Sequence, residues 1–162
     1  LAYSRMANTF PDLNSKAHCG VDRISQSRQK TAANQTWDYT SLPSLLMQMS
    51  LRGTAVPEWK QLAMDVFREG KLLKRSKKTM PWTMPCDVQK RWDMAASIQD
   101  ALESVFIAAL DKHVARASGG VRGVVFAGGI AFNTVLNYRL HRYFTQRARP
   151  LPLHVPANPG DA

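Results

Sequence analysis

Val124-Val125-Phe126-Ala127-Gly128-Gly129-Ile130-Ala131-Phe132-Asn133 is the stretch that decides the fold of this chain. A short apolar run ending in paired glycines reads as a buried strand that turns sharply, and Ile130 to Tyr143 then resumes with helical spacing. Strand, diglycine and helix in that order offer backbone N–H groups and a helix N-terminus to a phosphate or nucleotide. Leu151 to Val155 is a second candidate strand, followed by the loop Pro156-Ala157-Asn158-Pro159-Gly160. In an open α/β sheet, ligands bind beyond the carboxyl ends of the strands. Gly128/Gly129 and Gly160/Asp161 are therefore expected to line one crevice.

Upstream of the diglycine lies the clearest helix. Asp93 reads as its N-cap, Ile98, Leu102, Val105, Ala109 and Val114 as its apolar stripe, and Ser118-Gly119-Gly120 as its end. Residues 91–162 thus run helix, strand, helix, strand, an α/β order. Residues 1–90 read differently. Residues 1–41 are polar with no sustained period, which predicts irregular structure. Leu42 to Leu51 is a short helix that Pro43 helps to start. Pro57 opens an amphipathic helix in which Trp59, Leu62, Ala63, Val66 and Phe67 share a face, stopped near Gly70. Met80 to Pro85 is an extended, proline-punctuated connector. The expected organisation is a polar and basic region over 1–90 and an α/β lobe over 91–162.

The chain of 162 residues carries a formal net charge of +10. Residues 1–90 hold 14 Lys/Arg against 7 Asp/Glu, so most of the surplus lies away from the diglycine. Its densest part is Arg68–Lys78, which is either a solvated face or a surface for RNA or an acidic partner. Trp82 and Trp92 nearby are expected to pack locally rather than to stack on bases. Cys19 and Cys86 form neither a CxxC nor a zinc spacing and read as two unpaired thiols in a reduced compartment. No apolar stretch approaches the ~20 residues of a membrane span, and the N-terminus lacks the apolar segment of a signal peptide. A cytoplasmic or organelle-matrix protein, not a secreted one, is the expectation. The chain begins at Leu1 and stops within a motif at Ala162, so it reads as part of a longer protein. Ser97 has no His/Asp partner in sequence, which argues against serine-hydrolase chemistry.

Three ordered motifs resemble a known family. Asp93-Met94-Ala95-Ala96-Ser97-Ile98-Gln99, Ala127-Gly128-Gly129-Ile130-Ala131-Phe132-Asn133 and Pro159-Gly160-Asp161-Ala162 are similar to the D-x-A-A-S-x-Q, A-G-G-V-A-L-N and G-D-A-G patterns of the O-carbamoyltransferases of antibiotic biosynthesis and nodulation. The catalytic domain of that family is similar to the universal tRNA threonylcarbamoyl-transfer enzyme, within the actin/heat-shock/sugar-kinase superfamily. The resemblance covers residues 93–162. It implies a partial actin-like (ribonuclease H-like) lobe; the irregular, mainly helical N-terminal half is read from its residues alone, since residues 1–90 carry no resemblance. It also implies that Gly128, Gly129 and Asn133 meet an ATP-derived carbamoyl-adenylate. Asp161 would hold a divalent metal ion, iron among the candidates, which polarises an oxygen. The implied reaction moves a carbamoyl group from that adenylate to a hydroxyl. This chain departs from the family in lacking an H-x-x-x-H pair, since His18, His113, His141 and His154 show no such spacing. Phe132 is also bulkier than the family's residue. Transfer would need the remainder of the parent protein, or a partner chain, to complete the cleft. The alternative is a catalytically dead homologue that serves as a structural or assembly subunit of an RNA-containing or other large complex through its basic N-terminal half.

Overall fold

The computed structural model describes residues 2–7, 10, 41–69, 83–117 and 120–160. The chain divides into two units, residues 1–101 and 102–162, whereas composition places its change near residue 90. The described residues are mainly helical, with one small parallel sheet, a mixed α/β composition.

Apolar residues spaced three and four apart build the first unit. Tyr3, Met6 and Phe10 are all buried, and α1 (Ala2–Ala7) carries the first two on one stripe. Irregular structure was expected here, so this helix is a correction. Two apolar residues at helical spacing suffice once the Tyr3 hydroxyl donates to Gln99 Oε1 at 2.7 Å. α2 (Ser41–Ser50) buries Leu46 and Met49. α3 (Pro57–Glu69) starts at Pro57, where the missing N–H costs nothing. Glu58 in its first turn and Arg68 in its last complement the helix dipole. Of the Arg68–Lys78 run, only Arg68 and Glu69 fall among the described residues.

α4 (Val88–Arg116) begins six residues earlier than the sequence reading. Asp87, not Asp93, caps it, accepting the Lys90 N–H at 2.8 Å. Asp93 lies in the second turn, where its Oδ1 accepts the Thr54 N–H at 2.8 Å. Ser97 Oγ, one turn on, donates to the Asp93 carbonyl and accepts the Val56 N–H, at 2.7 and 2.8 Å. The segment joining α2 to α3 is thereby held against α4 by its own backbone donors. Gly53 permits the approach. A Cβ there would stand 2.0 Å from the Trp92 carbonyl oxygen. The Arg52 guanidinium lies 5.5 Å from the centre of the Trp92 ring, so Trp92 does pack locally. Trp82 lies outside the described residues.

Cys86 is disulfide-bonded, which corrects the expectation of two unpaired thiols. Cys19, the other cysteine of the sequence, lies outside the described residues. Arg91 is buried and donates to the Cys86 carbonyl, fixing the turn ahead of α4.

The second unit takes up α4 from Leu102. β1 (Val124–Val125) pairs in parallel with β2 (Leu153–His154), with Val124 opposite Leu153 and Val125 opposite His154. The Val124 N–H donates to the Pro152 carbonyl at 2.8 Å and the Phe126 N–H to the His154 carbonyl at 2.9 Å. Parallel neighbours require a crossover. α5 (Thr134–Thr145) supplies it and buries Leu136, Leu140 and Phe144, each four residues from the last. Phe106 of α4 meets Phe126 edge-on, with ring centres 6.0 Å apart. Both strands are shorter than expected, and β1 is not a buried strand, since Val125 is 71% exposed. Successive strand residues point to opposite faces, and a sheet covered on one face leaves alternate side chains in solvent.

Two bridges tie α4 to the α5 segment. Glu103 faces Arg139 at 3.9 Å and Asp111 faces Arg147 at 2.6 Å. Both pairs keep the same sequence offset of 36, so the two segments run in the same direction. Burial holds the Tyr143 phenol above its ordinary pKa. The Asp111 carboxylate adds to that rise, while Arg147 opposes it. Among the described residues no helix is long and apolar enough to cross a membrane.

The Gly53 contact generates the first prediction. Gly53→Ala should destabilise the chain by at least about 3 kcal/mol, the upper range of overpacking costs, because backbone rather than a movable side chain blocks the new methyl. Urea unfolding followed by far-ultraviolet circular dichroism measures it. A loss below about 1 kcal/mol would show that Gly53 does not sit against α4.

Candidate functional site

The carboxyl end of β1 passes into a turn that only glycine accommodates easily. Gly128 adopts φ 92 and ψ 169, a region sparsely populated by residues with a side chain. Its N–H donates to the Pro159 carbonyl and its carbonyl accepts the Ala131 N–H at 2.9 Å. The loop after β1 and the loop after β2 are thereby joined by a backbone hydrogen bond. Gly129 opens a 3-10 turn, Gly129–Phe132. A Cβ at Gly129 would meet nothing within 4 Å, and its N–H has no partner among the described residues.

Asn133 ends that turn and caps α5. Its N–H donates to the Ile130 carbonyl at 3.0 Å, and its Oδ1 accepts the Leu136 N–H at 2.9 Å. It is buried. The single helix expected from Ile130 to Tyr143 is therefore two elements. The helix N-terminus stands at Thr134, so the donors beside Gly129 belong to a tight turn. Asn133 was expected to meet the same ligand as the glycines; in the structure its side-chain oxygen accepts an N–H at the helix end.

Phe132 is 54% exposed, and its ring lies 3.5 Å from where a Cβ on Gly160 would stand. Asp161 falls outside the described residues. Asn137 escaped the sequence reading. Its Nδ2 donates to the Ala131 carbonyl at 2.7 Å, while its Oδ1 is buried without a partner among the described residues. A second asparagine four residues after Asn133, on the same helical face, was the available signal.

The geometry brings Gly128, Gly129, Pro159 and Gly160 together at the carboxyl ends of two parallel strands. The parts it assembles there are uncharged, and what they offer is backbone N–H donors and open space beside Gly129. Such a turn can hold an anionic oxygen without a cationic side chain. The Asp93–Gln99 motif belongs to the first unit. There its Asp, Ser and Gln side chains bind the Thr54 N–H, the Val56 N–H and the Tyr3 hydroxyl.

A metal ion is usually held by three or more protein donors. Among the described residues no three His, Cys, Asp or Glu side chains converge. The side chains described at this turn do not fit a metal, so no chemical step is routed through one. No protein-family model, no curated protein and no solved structure matches this chain.

The two glycines should respond differently to a methyl group. Gly128→Ala should cost about 1–3 kcal/mol, because a side chain is strained at that positive φ. Gly129→Ala should be neutral, or stabilising by up to about 1 kcal/mol, through the loss of unfolded-chain freedom. Paired thermal melts check the contrast, and equal losses at both positions would contradict the geometry.

Proposed function

We propose that residues 102–162 form the nucleotide-facing part of an O-carbamoyltransferase-like lobe of the actin-like class. The Gly128–Gly129 turn receives the phosphate side of carbamoyl-adenylate. In that reaction the acceptor oxygen bonds to the carbamoyl carbon, the bond from that carbon to the adenylate phosphate breaks, and AMP leaves. The proton of the acceptor hydroxyl passes to solvent. The chain also lacks the paired histidines of the family, so transfer depends on residues supplied from elsewhere.

One observation carries this reading. Gly129 presents open backbone at the carboxyl ends of parallel strands, directly beside the Pro159–Gly160 loop, where nucleotides bind in open α/β sheets. A second reading, a catalytically dead homologue that serves in assembly, is favoured by a different one. Asp93, Ser97 and Gln99 are all engaged in holding backbone and side chains within the first unit, a role that would survive the loss of chemistry.

AMP binding separates the two. Equilibrium dialysis of the full chain should show AMP bound by the wild type. Gly129→Glu should weaken it at least about tenfold, or 1.4 kcal/mol, because a carboxylate then stands where phosphate must approach. Gly129→Ala should retain most of the affinity. A wild type without AMP affinity, or one whose affinity survives Gly129→Glu, would remove the carbamoyltransferase-like reading and leave the assembly role.

A further inference from the structure

The second unit has a strongly one-sided charge. From Lys112 to Gly160 the sequence holds no Asp or Glu. The two described carboxylates of the unit, Glu103 and Asp111, are already occupied by Arg139 and Arg147. Lys112, Arg116, Arg142 and Arg149 are exposed and have no carboxylate partner among the described residues.

These four cations lie in the carboxyl-terminal parts of α4 and α5 and in the stretch just after α5. Lys112 follows Asp111 on α4, and Arg149 lies two residues beyond Arg147, the partner of Asp111. Arg116 lies in the last turn of α4 and Arg142 in the last turn of α5. The constant offset of the two bridges makes these segments parallel, so both helices end on the same side of the unit. The diglycine turn leads into the opposite end of α5, and a helix of 12 residues rises about 18 Å. The basic end is therefore separate from the nucleotide turn. Cations in the last turn of a helix also offset its dipole, which gives Arg116 and Arg142 a modest structural use. Lys112 and Arg149 have none that the dipole explains.

We infer that this end of the second unit binds single-stranded nucleic acid. Three of its four free cations are arginines, whose planar fork matches phosphate oxygens in pairs. Tyr138, 63% exposed, stands one turn before Arg142 near the middle of α5, with the Arg142 guanidinium 5.9 Å from its ring centre, so the surface runs from the basic end back along the helix. An exposed ring beside a cation suits an unstacked base together with its phosphate. The outward residues of α5 around it, Arg139, His141, Arg142 and Thr145, are polar, so the face lacks the apolar stripe with which a helix enters a membrane surface.

Fluorescence anisotropy of the full chain with labelled oligouridylate, titrated at several salt concentrations, tests this. Lys112→Gln, Arg116→Gln, Arg142→Gln and Arg149→Gln together should weaken binding at least tenfold at low salt. They should also flatten the dependence of log affinity on log salt by about 0.7 for each phosphate no longer neutralised, roughly 3 in all. Arg139 and Arg147 stay unchanged because they hold the two helical segments together. Tyr138→Ala should weaken binding about fivefold or more with the salt slope unaltered. A circular dichroism melt near that of the wild type shows that each variant still folds.

Three results would overturn the inference. One is an absence of oligouridylate binding by the wild type. Another is an unaltered slope in the fourfold variant, with the loss appearing instead when Lys74, Arg75, Lys77 and Lys78 are neutralised. The third is displacement by polyaspartate at equal charge together with a silent Tyr138→Ala, which would assign the surface to an acidic protein.

Discussion

A backbone hydrogen bond from the Gly128 N–H to the Pro159 carbonyl governs the working end of the second unit. Leaving β1, the chain must aim one N–H at the loop beyond β2 while keeping the carbonyl of the same residue for the Ala131 N–H. The backbone meets both demands with φ at 92, a conformation that a Cβ makes costly. The first glycine is thus structural, which leaves its neighbour to face outward. Gly129 is the position where a ligand could reach the main chain, and the same bond places the Pro159–Gly160 loop next to it.

In the first unit, side chains do the work that backbone does in the second. A carboxylate and a hydroxyl one turn apart on α4, Asp93 and Ser97, accept the N–H groups of Thr54 and Val56. The Thr54 bond is exposed to solvent and the Val56 bond part-buried, and a buried donor left unpaired costs about 1–3 kcal/mol. The half-exposed Lys60–Asp100 pair at 2.8 Å, by contrast, is of a kind worth about 0–1 kcal/mol. The connection between α2 and α3 therefore rests more on the part-buried Val56 capture, and on the absence of a side chain at Gly53, than on surface charge. A segment that resembles a catalytic family motif has a complete architectural explanation in this unit.

Much of the helical framework was legible because local chemistry and tertiary demand coincide. Pro57 can only begin a helix, and the apolar spacing from Trp59 to Phe67 needs no knowledge of the partner it packs against. The start of α4 was not legible. Asp87 and Asp93 are equally good caps by type, and what assigns Asp93 elsewhere is Thr54, far away in sequence. At Asn133 the signal was present, since Asn followed by Thr is ordinary capping chemistry, but the apolar residues from Ile130 onward mask a 3-10 turn as the start of the helix. The pairing state of Cys86 lay beyond any spacing argument, because two distant cysteines are compatible with either state. For the candidate site, the glycines and the loop they meet could be read from residue types. The orphan oxygen of Asn137 depends on packing that no local pattern specifies.

The division of labour between the two glycines is tested most directly by nuclear magnetic resonance of the nitrogen-labelled full chain, following individual amides with and without AMP. The account requires a Gly128 amide that exchanges slowly with solvent and barely moves on titration, beside a Gly129 amide that exchanges fast and shifts progressively as AMP is added. Equally rapid exchange at both glycines, or a Gly129 resonance indifferent to AMP, would contradict it.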